Sequence, residues 1–335
     1  MRNDAHCGVW KVWLYAASAV ALGAWISPLI FNAGKALAEV SSHKTTNAPL
    51  EKLAGICRVS EFPVFFNASL LLAAVVLFFP WMEWVHAKSD SAHGMTGPWR
   101  VRLPGGPRTI GCGQRLLKNL RGPWQGCAGF LVMSGVLLSL GIALVPAGYF
   151  SMQMPQRGTL PKALGLLAGV FLIAAITEII FRGIALGIFL RSLRPLTAIA
   201  MSAGFFAIVL AVIPTNEINV TDPEASGIGF ELLKKSLLRF ADWKNLVGSL
   251  VPWLVLGGLL AYARWRTASL WMSVGLMAGW LFGKEMLAKL CHSVASPEVG
   301  QFLQQGLMPL IAILLTGVMV RFFTTNDHDE DSAAP

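Results

Sequence analysis

The chain has 335 residues, 55% of them hydrophobic and 13% charged, with 27 Lys+Arg against 18 Asp+Glu for a formal net charge of +9. A soluble domain carries about 25% charged residues, so this balance excludes an ordinary globular domain and points to lipid as the solvent. The excess of positive charge reads as basic loops facing anionic lipid; no basic face interleaved with aromatics occurs, and no nucleic-acid partner is expected.

Eight apolar runs follow in chain order, near 9–31, 63–85, 126–149, 163–190, 195–213, 246–263, 267–283 and 306–323. Each is long enough, or nearly so, for a helix that crosses the hydrocarbon core. Their continuous apolar character excludes the alternating pattern of a membrane β-barrel. The expected fold is therefore all-α, a polytopic transmembrane helix bundle of about eight membrane-spanning helices. Arg2 and Lys11 precede the first run and Ala36-Leu37-Ala38 follows it, as in a signal peptide, but the run is longer than a signal-peptide core and reads as a retained helix.

Residues 1–125 read as two N-terminal membrane helices with a basic cytoplasmic loop, 126–323 as the main bundle, and 324–335 as an acidic disordered tail. Between residues 86 and 125 lie Lys88, Arg100, Arg102, Arg108, Arg115, Lys118 and Arg121 against Asp90 alone. Arg191 and Arg194, and then Arg264 and Arg266, fall on the same side if the helices alternate. The positive-inside rule makes that side cytoplasmic and places both termini there. Residues 98–108 read as a turn-rich linker and 114–124 as a short basic surface helix. Residues 227–245, with Phe230, Leu232, Leu233, Leu237 and Leu238, read as an interfacial helix. His328 in the tail reads as part of a solvated segment.

The five cysteines (Cys7, Cys57, Cys112, Cys127 and Cys291) form no C-x-x-C pair, and no disulfide framework or zinc-knuckle spacing follows from them. Most charges sit at helix ends. Glu178 and Arg182 do not: they lie in the middle of the fourth run, where each charge costs about 2.5–3.5 kcal/mol. Their i, i+4 spacing, acid first, puts both on one face in the favourable order for an ion pair. Such a pair marks a functional site or a structural staple between helices.

Thr177-Glu178-Ile179-Ile180-Phe181-Arg182-Gly183 resembles the Glu-Glu-x-x-x-Arg motif of the CPBP family, the CAAX prenyl protease type II and bacteriocin-processing intramembrane endopeptidases. Two later segments are similar to its other motifs in order. Phe206-Ala-Ile-Val-Leu210 resembles Phe-x-x-x-His, and Met277-Ala-Gly-Trp-Leu281 resembles His-Ala-Gly-Trp-Asn. The resemblance covers residues 160–285 and implies a membrane-embedded hydrolase of peptide bonds, with a carboxylate to activate water and with two His and an Asn to hold a metal or stabilise the oxyanion. These demands are chemically sound. This chain departs from the pattern at four positions: Thr177 replaces the first Glu, and Leu210, Met277 and Leu281 replace the His, His and Asn. Glu178 and Arg182 remain as motif remnants.

None of the six histidines (His6, His43, His86, His93, His292 and His328) stands at a motif position. Glu178 alone falls short of the three protein ligands of a catalytic zinc site, so no cofactor is expected, and zinc or another metal only at a site the motifs do not reveal. Met277, Trp271 and Trp280 read as core or interface residues.

The resulting expectation is a degenerate, catalytically inactive pseudoprotease in a bacterial inner (plasma) membrane. It would bind a membrane or prenylated protein or peptide. Two alternatives stand beside it: an active CAAX-type endopeptidase with a non-standard site, and a transporter or channel. The latter predicts inverted repeats and broken helices, and no clear repeat is present.

Overall fold

The structure is a computed structural model. It describes residues 3–43, 48–86, 101–102, 109–110, 122–152, 159–214, 220, 222, 225, 227–267, 269–293 and 306–332. The basic loop, the turn-rich linker and the 114–124 helix read from the sequence lie almost wholly outside these residues. The chain divides into two compact units, one of residues 1–6, 94–207 and 244–335 and the other of residues 7–93 and 208–243.

The second unit is built on α1 (Asn3–His43), α2 (Ala48–Val59) and α3 (Phe62–His86). The sequence ends its first apolar run at residue 31, whereas α1 continues to His43 with Ala36-Leu37-Ala38 inside the helix. Packing explains the extension: Phe31 and Ala38 belong to one core with Ala24, Cys57, Phe62, Phe65 and Phe66. Helix α2 lies between the first two apolar runs of the sequence. It is amphipathic and too short and polar to register as an apolar run. Its end is closed by Lys35, whose Nζ donates to the carbonyls of Cys57 (3.1 Å), Arg58 (3.2 Å) and Ser60 (2.9 Å). A cation on the last carbonyls of a helix satisfies orphan acceptors and opposes the negative end of the dipole. Lys35→Met keeps the apolar stem and removes three donors. It is expected to lower unfolding stability by about 1–3 kcal/mol, measured by denaturation in mild detergent, while Lys52→Met on the exposed face of α2 leaves stability unchanged.

Within the 227–245 stretch a helix is present, α8 (Ile228–Leu238). It starts at Gly227, whose φ of 97° suits glycine. Ile228 and Leu232 join the core of this unit. Gly229 comes so close to Ala24 O and Ser27 Oγ of α1 that a Cβ there has no room. Phe230, Leu237 and Leu238 stay exposed.

The first unit begins with two short strands, β1 (Val101–Arg102) and β2 (Thr109–Ile110), which pair antiparallel. It continues with α4 (Gly122–Ala143), where the run read to 149 ends early in a turn with Gly148 at φ 78°. Strand β3 (Phe150–Met152) pairs antiparallel with β4 (Cys291–Ser293), Ser151 opposite His292. The fourth run is α5 (Thr159–Glu178), a π-helical segment (Ile179–Ala185) and α6 (Leu186–Ser192). Helix α7 (Pro195–Val212) crosses the division between the units after Ala207. A turn of helix, α9 (Trp243–Asn245), and a second π segment (Leu246–Leu250) lead into α10 (Val251–Thr267). Helix α11 (Leu270–Leu290) and α12 (Met308–Ser332) complete the unit. The acidic segment from 324 to 332, read as disordered, is thus helical here; extending a helix already formed adds one hydrogen bond for each residue fixed.

Among the described residues, six helices are long and apolar enough to cross a membrane: Gly8–Ser41, Phe62–Val85, Gly122–Ala143, Gly165–Ser192, Pro195–Val212 and Leu246–Thr267. Met308–Phe322 is apolar but shorter. In α11 the adjacent Lys284 and Glu285 interrupt the apolar run. The protein is an all-α polytopic membrane bundle, and the count of eight is approximate.

Helix α11 is the centre of the first unit and packs along α4, α5 and α10. Glycines set its approach to α4. Gly275, Gly279 and Gly283 recur every fourth residue on one face. A Cβ on Gly279 would lie 2.6 Å from Phe130 O, one on Gly283 2.8 Å from Leu137 Cδ2, and one on Gly275 would collide with Gly126 O. From the other side, a Cβ on Gly129 would lie 2.8 Å from Met272 O. In lipid, where apolar side chains gain nothing by leaving the solvent, such backbone proximity is what holds helices together. Phe130 adds ring contacts to Phe171 at 5.2 Å and Phe282 at 5.4 Å, tying α4 to α5 and α11.

Candidate functional site

Glu178 ends α5, and Arg182 lies one turn on, inside the π segment. There Leu186 N–H reaches back to Phe181 O, five residues earlier. A π segment widens the helix and changes the faces that follow, and such bulges are frequent at functional sites. Both side chains are completely buried. Arg182 Nη1 donates to Glu178 Oε1 at 2.9 Å. Its Nη2 points to Gly257 O on α10 at 3.4 Å. The guanidinium lies 4.1 Å from the centroid of Phe206 on α7, and Phe181 meets Phe206 edge-on at 5.0 Å. The expected pair is thus made, and it ties three helices together: α5 through the π segment, α7 through the ring and α10 through a carbonyl.

The approach of α10 to α7 depends on Gly257. A Cβ there would lie 3.1 Å from both Ala203 Cα and Phe206 Cδ1. Ser273 of α11 stands beside the Glu178 carboxylate, with its hydroxyl donating to Leu270 O at 3.0 Å, and Arg264 of α10 adds positive charge to the surroundings of that carboxylate. Among the described residues, Glu178 Oε2 and Arg182 Nε meet no partner at hydrogen-bonding geometry. The sequence reading missed Gly257, Ser273 and Arg264. Small or helix-end residues carry no motif, and only packing brings them to the pair.

The four departing positions are placed as follows. Thr177 is half-buried and turns its Oγ1 back to Ile173 O (2.8 Å) and Ala174 O (3.0 Å) of its own helix. Those carbonyls satisfy the hydroxyl proton within its own helix. Met277 is buried in α11, and Leu281 is half-buried one turn further on. Leu210 is half-buried on α7, one turn beyond Phe206 and on the far side of the division between the units. Trp280 is buried and Trp271 half-buried, the Trp271 ring filling the space a Cβ on Gly122 would need.

These donors do not suit a metal. A catalytic zinc site takes three protein ligands, and the one carboxylate at the motif positions is bound to a guanidinium. Among the described residues no three His, Cys, Asp or Glu come together as a metal site.

Apolar helices around a buried ion pair define the chain as an integral membrane protein with a polar centre on a π-helical turn. Within that class, residues 159–282 match the family described as type II CAAX prenyl endopeptidase Rce1-like. The matched segment runs from the start of α5 to Phe282 in α11 and coincides with the stretch in which the three motifs were read. No curated protein and no solved structure matches the chain.

Proposed function

We propose that this protein is a non-hydrolytic relative of the CAAX-type intramembrane endopeptidases, a pseudoprotease that binds a membrane or lipidated peptide without cutting it. One observation carries the reading: the retained carboxylate, Glu178, is fully buried and bound to Arg182 at 2.9 Å. A base that activates water must reach that water and pass on its proton, and complete burial closes the Glu178 carboxylate off from solvent. The positions that would supply imidazoles and an amide are Leu210, Met277 and Leu281, none of which donates a hydrogen bond. Removal of a single oxyanion donor already costs about 100–1,000-fold in rate. The similarity of residues 159–282 to prenyl endopeptidases supports a lipidated or helical peptide as the partner class. The basic segments between spans support an orientation with both termini cytoplasmic, and the resemblance to the CPBP family supports a bacterial inner (plasma) membrane location.

The test uses the full chain in lipid nanodiscs, with a farnesylated peptide ending in a CAAX sequence and an apolar helical peptide, each carrying a fluorophore and a quencher. Fluorescence is expected to stay flat over hours, while the anisotropy of a labelled farnesylated peptide rises on binding. Turnover that Glu178→Ala abolishes would establish the active-endopeptidase alternative. Failure of both peptides to bind would remove the partner class.

A further inference from the structure

One polar cluster of the first unit has no part in the site above. Lys284 lies on α11 beyond the third motif segment, seven residues after Met277 and four after Trp280, so helical spacing puts it on their face. Its Nζ is 5.6 Å from the ring centroid of Trp253 on α10 and 5.7 Å from that of Trp280. The two indoles meet edge to face at 6.0 Å, and Phe206 meets Trp253 at 6.1 Å. The cluster therefore backs onto the ring that covers Arg182. Trp280 is 2% exposed, yet its Nε1–H has no acceptor among the described residues. A buried N–H without an acceptor is costly and calls for a partner.

Lys284 offers three donors and no acceptor, and indole N–H is a donor only. A cluster with donors of both kinds selects an oxyanion. Lys284 also stands where α11 changes character, since apolar residues precede it and Glu285 and Lys289 follow. Lysine and tryptophan at such a transition lie at head-group depth in a bilayer, where the abundant oxyanion is lipid phosphate. We propose that Lys284 and the Trp280 N–H form a binding site for the phosphate of an anionic phospholipid, held against the Trp253–Trp280 pair. A lysine reaching only to water past two rings would place an ammonium there too, but it would leave the Trp280 N–H without an acceptor.

The site is tested on the full chain purified in neutral maltoside detergent, by the melting temperature with and without added short-chain phosphatidylglycerol. Each variant is compared with itself, so a general loss of stability does not enter. Wild type is expected to melt higher with the lipid. Lys284→Gln is expected to need about tenfold more lipid for the same rise, since a charged hydrogen bond is lost. Lys284→Arg is expected to keep the response. Trp280→Phe keeps a ring but removes the N–H, and is expected to weaken it in part. An unchanged response in both Lys284→Gln and Trp280→Phe would overturn the site. An equal rise with inorganic phosphate alone at matched concentration would overturn the lipid as its source.

Discussion

Arg182→Met is expected to be among the most destabilising single substitutions in the protein, at about 3–5 kcal/mol. It leaves the Glu178 carboxylate fully buried without its guanidinium, and it removes the donor to Gly257 O and the cation over Phe206. Methionine fills much of the same volume, so the loss is electrostatic more than steric. Taking both charges away should cost much less. A well-packed apolar pair can replace a buried ion pair at little cost, because the desolvation penalty disappears with the charges. Glu178→Leu combined with Arg182→Met is therefore expected to melt within a few degrees of wild type, whereas each single variant melts far lower. The measurement is a double-mutant cycle on unfolding in mild detergent. A double variant as unstable as the worse single would show that the pair does more than staple α5, α7 and α10. Binding of the farnesylated peptide by the double variant then separates the two roles: a structural staple is dispensable for binding once the helices are held, and a recognition group is not.

The second large effect is expected in the glycine seam. Gly275→Leu drives a side chain into Gly126 O, a backbone atom that cannot turn aside. Helix α11 would have to move away from α4, losing the close approaches at Gly129, Gly279 and Gly283 together. Overpacking of a tight contact costs about 1–3 kcal/mol, and collision with backbone belongs at the top of that range. Gly135→Leu on α4 is the control, since nothing lies within 4 Å of a Cβ there. It is expected to leave stability unchanged, because leucine is a good helix former in place of glycine. Equal loss in both variants would mean that glycine content, and not the seam, governs this helix pair.

The ion pair and the seam were not equally legible. Glu178 and Arg182 stand out in the sequence because charge in an apolar run is expensive, and their spacing already fixes a common face. The three motif segments were readable through their resemblance to a family pattern, and two of them carry no charge that would single them out otherwise. The Gly275-x-x-x-Gly279-x-x-x-Gly283 spacing is equally present in the chain, but glycine is common in membrane helices and the spacing does not name its partner. Helix α2 escaped notice because its apolar residues alternate with charges over a short stretch. The length of α1 escaped because the residues past 31 are only moderately apolar and owe their helical state to Phe62, Phe65 and Phe66 packing against them.

The sequence by itself therefore determined the solvent, the all-α class, the rough number of spans, the ion pair and the departures from the family pattern at Thr177, Leu210, Met277 and Leu281. Each of these is a local property, set by the composition of one helix or the spacing within it. The tertiary structure alone decided what the ion pair touches: the carbonyl of Gly257, the ring of Phe206, the hydroxyl of Ser273. It also decided that the motif arginine sits in a π segment and that α11 seats on α4 through glycines. Those facts depend on residues far apart in the chain coming within van der Waals distance, and in a bilayer that approach is governed by backbone shape, which hydropathy does not encode.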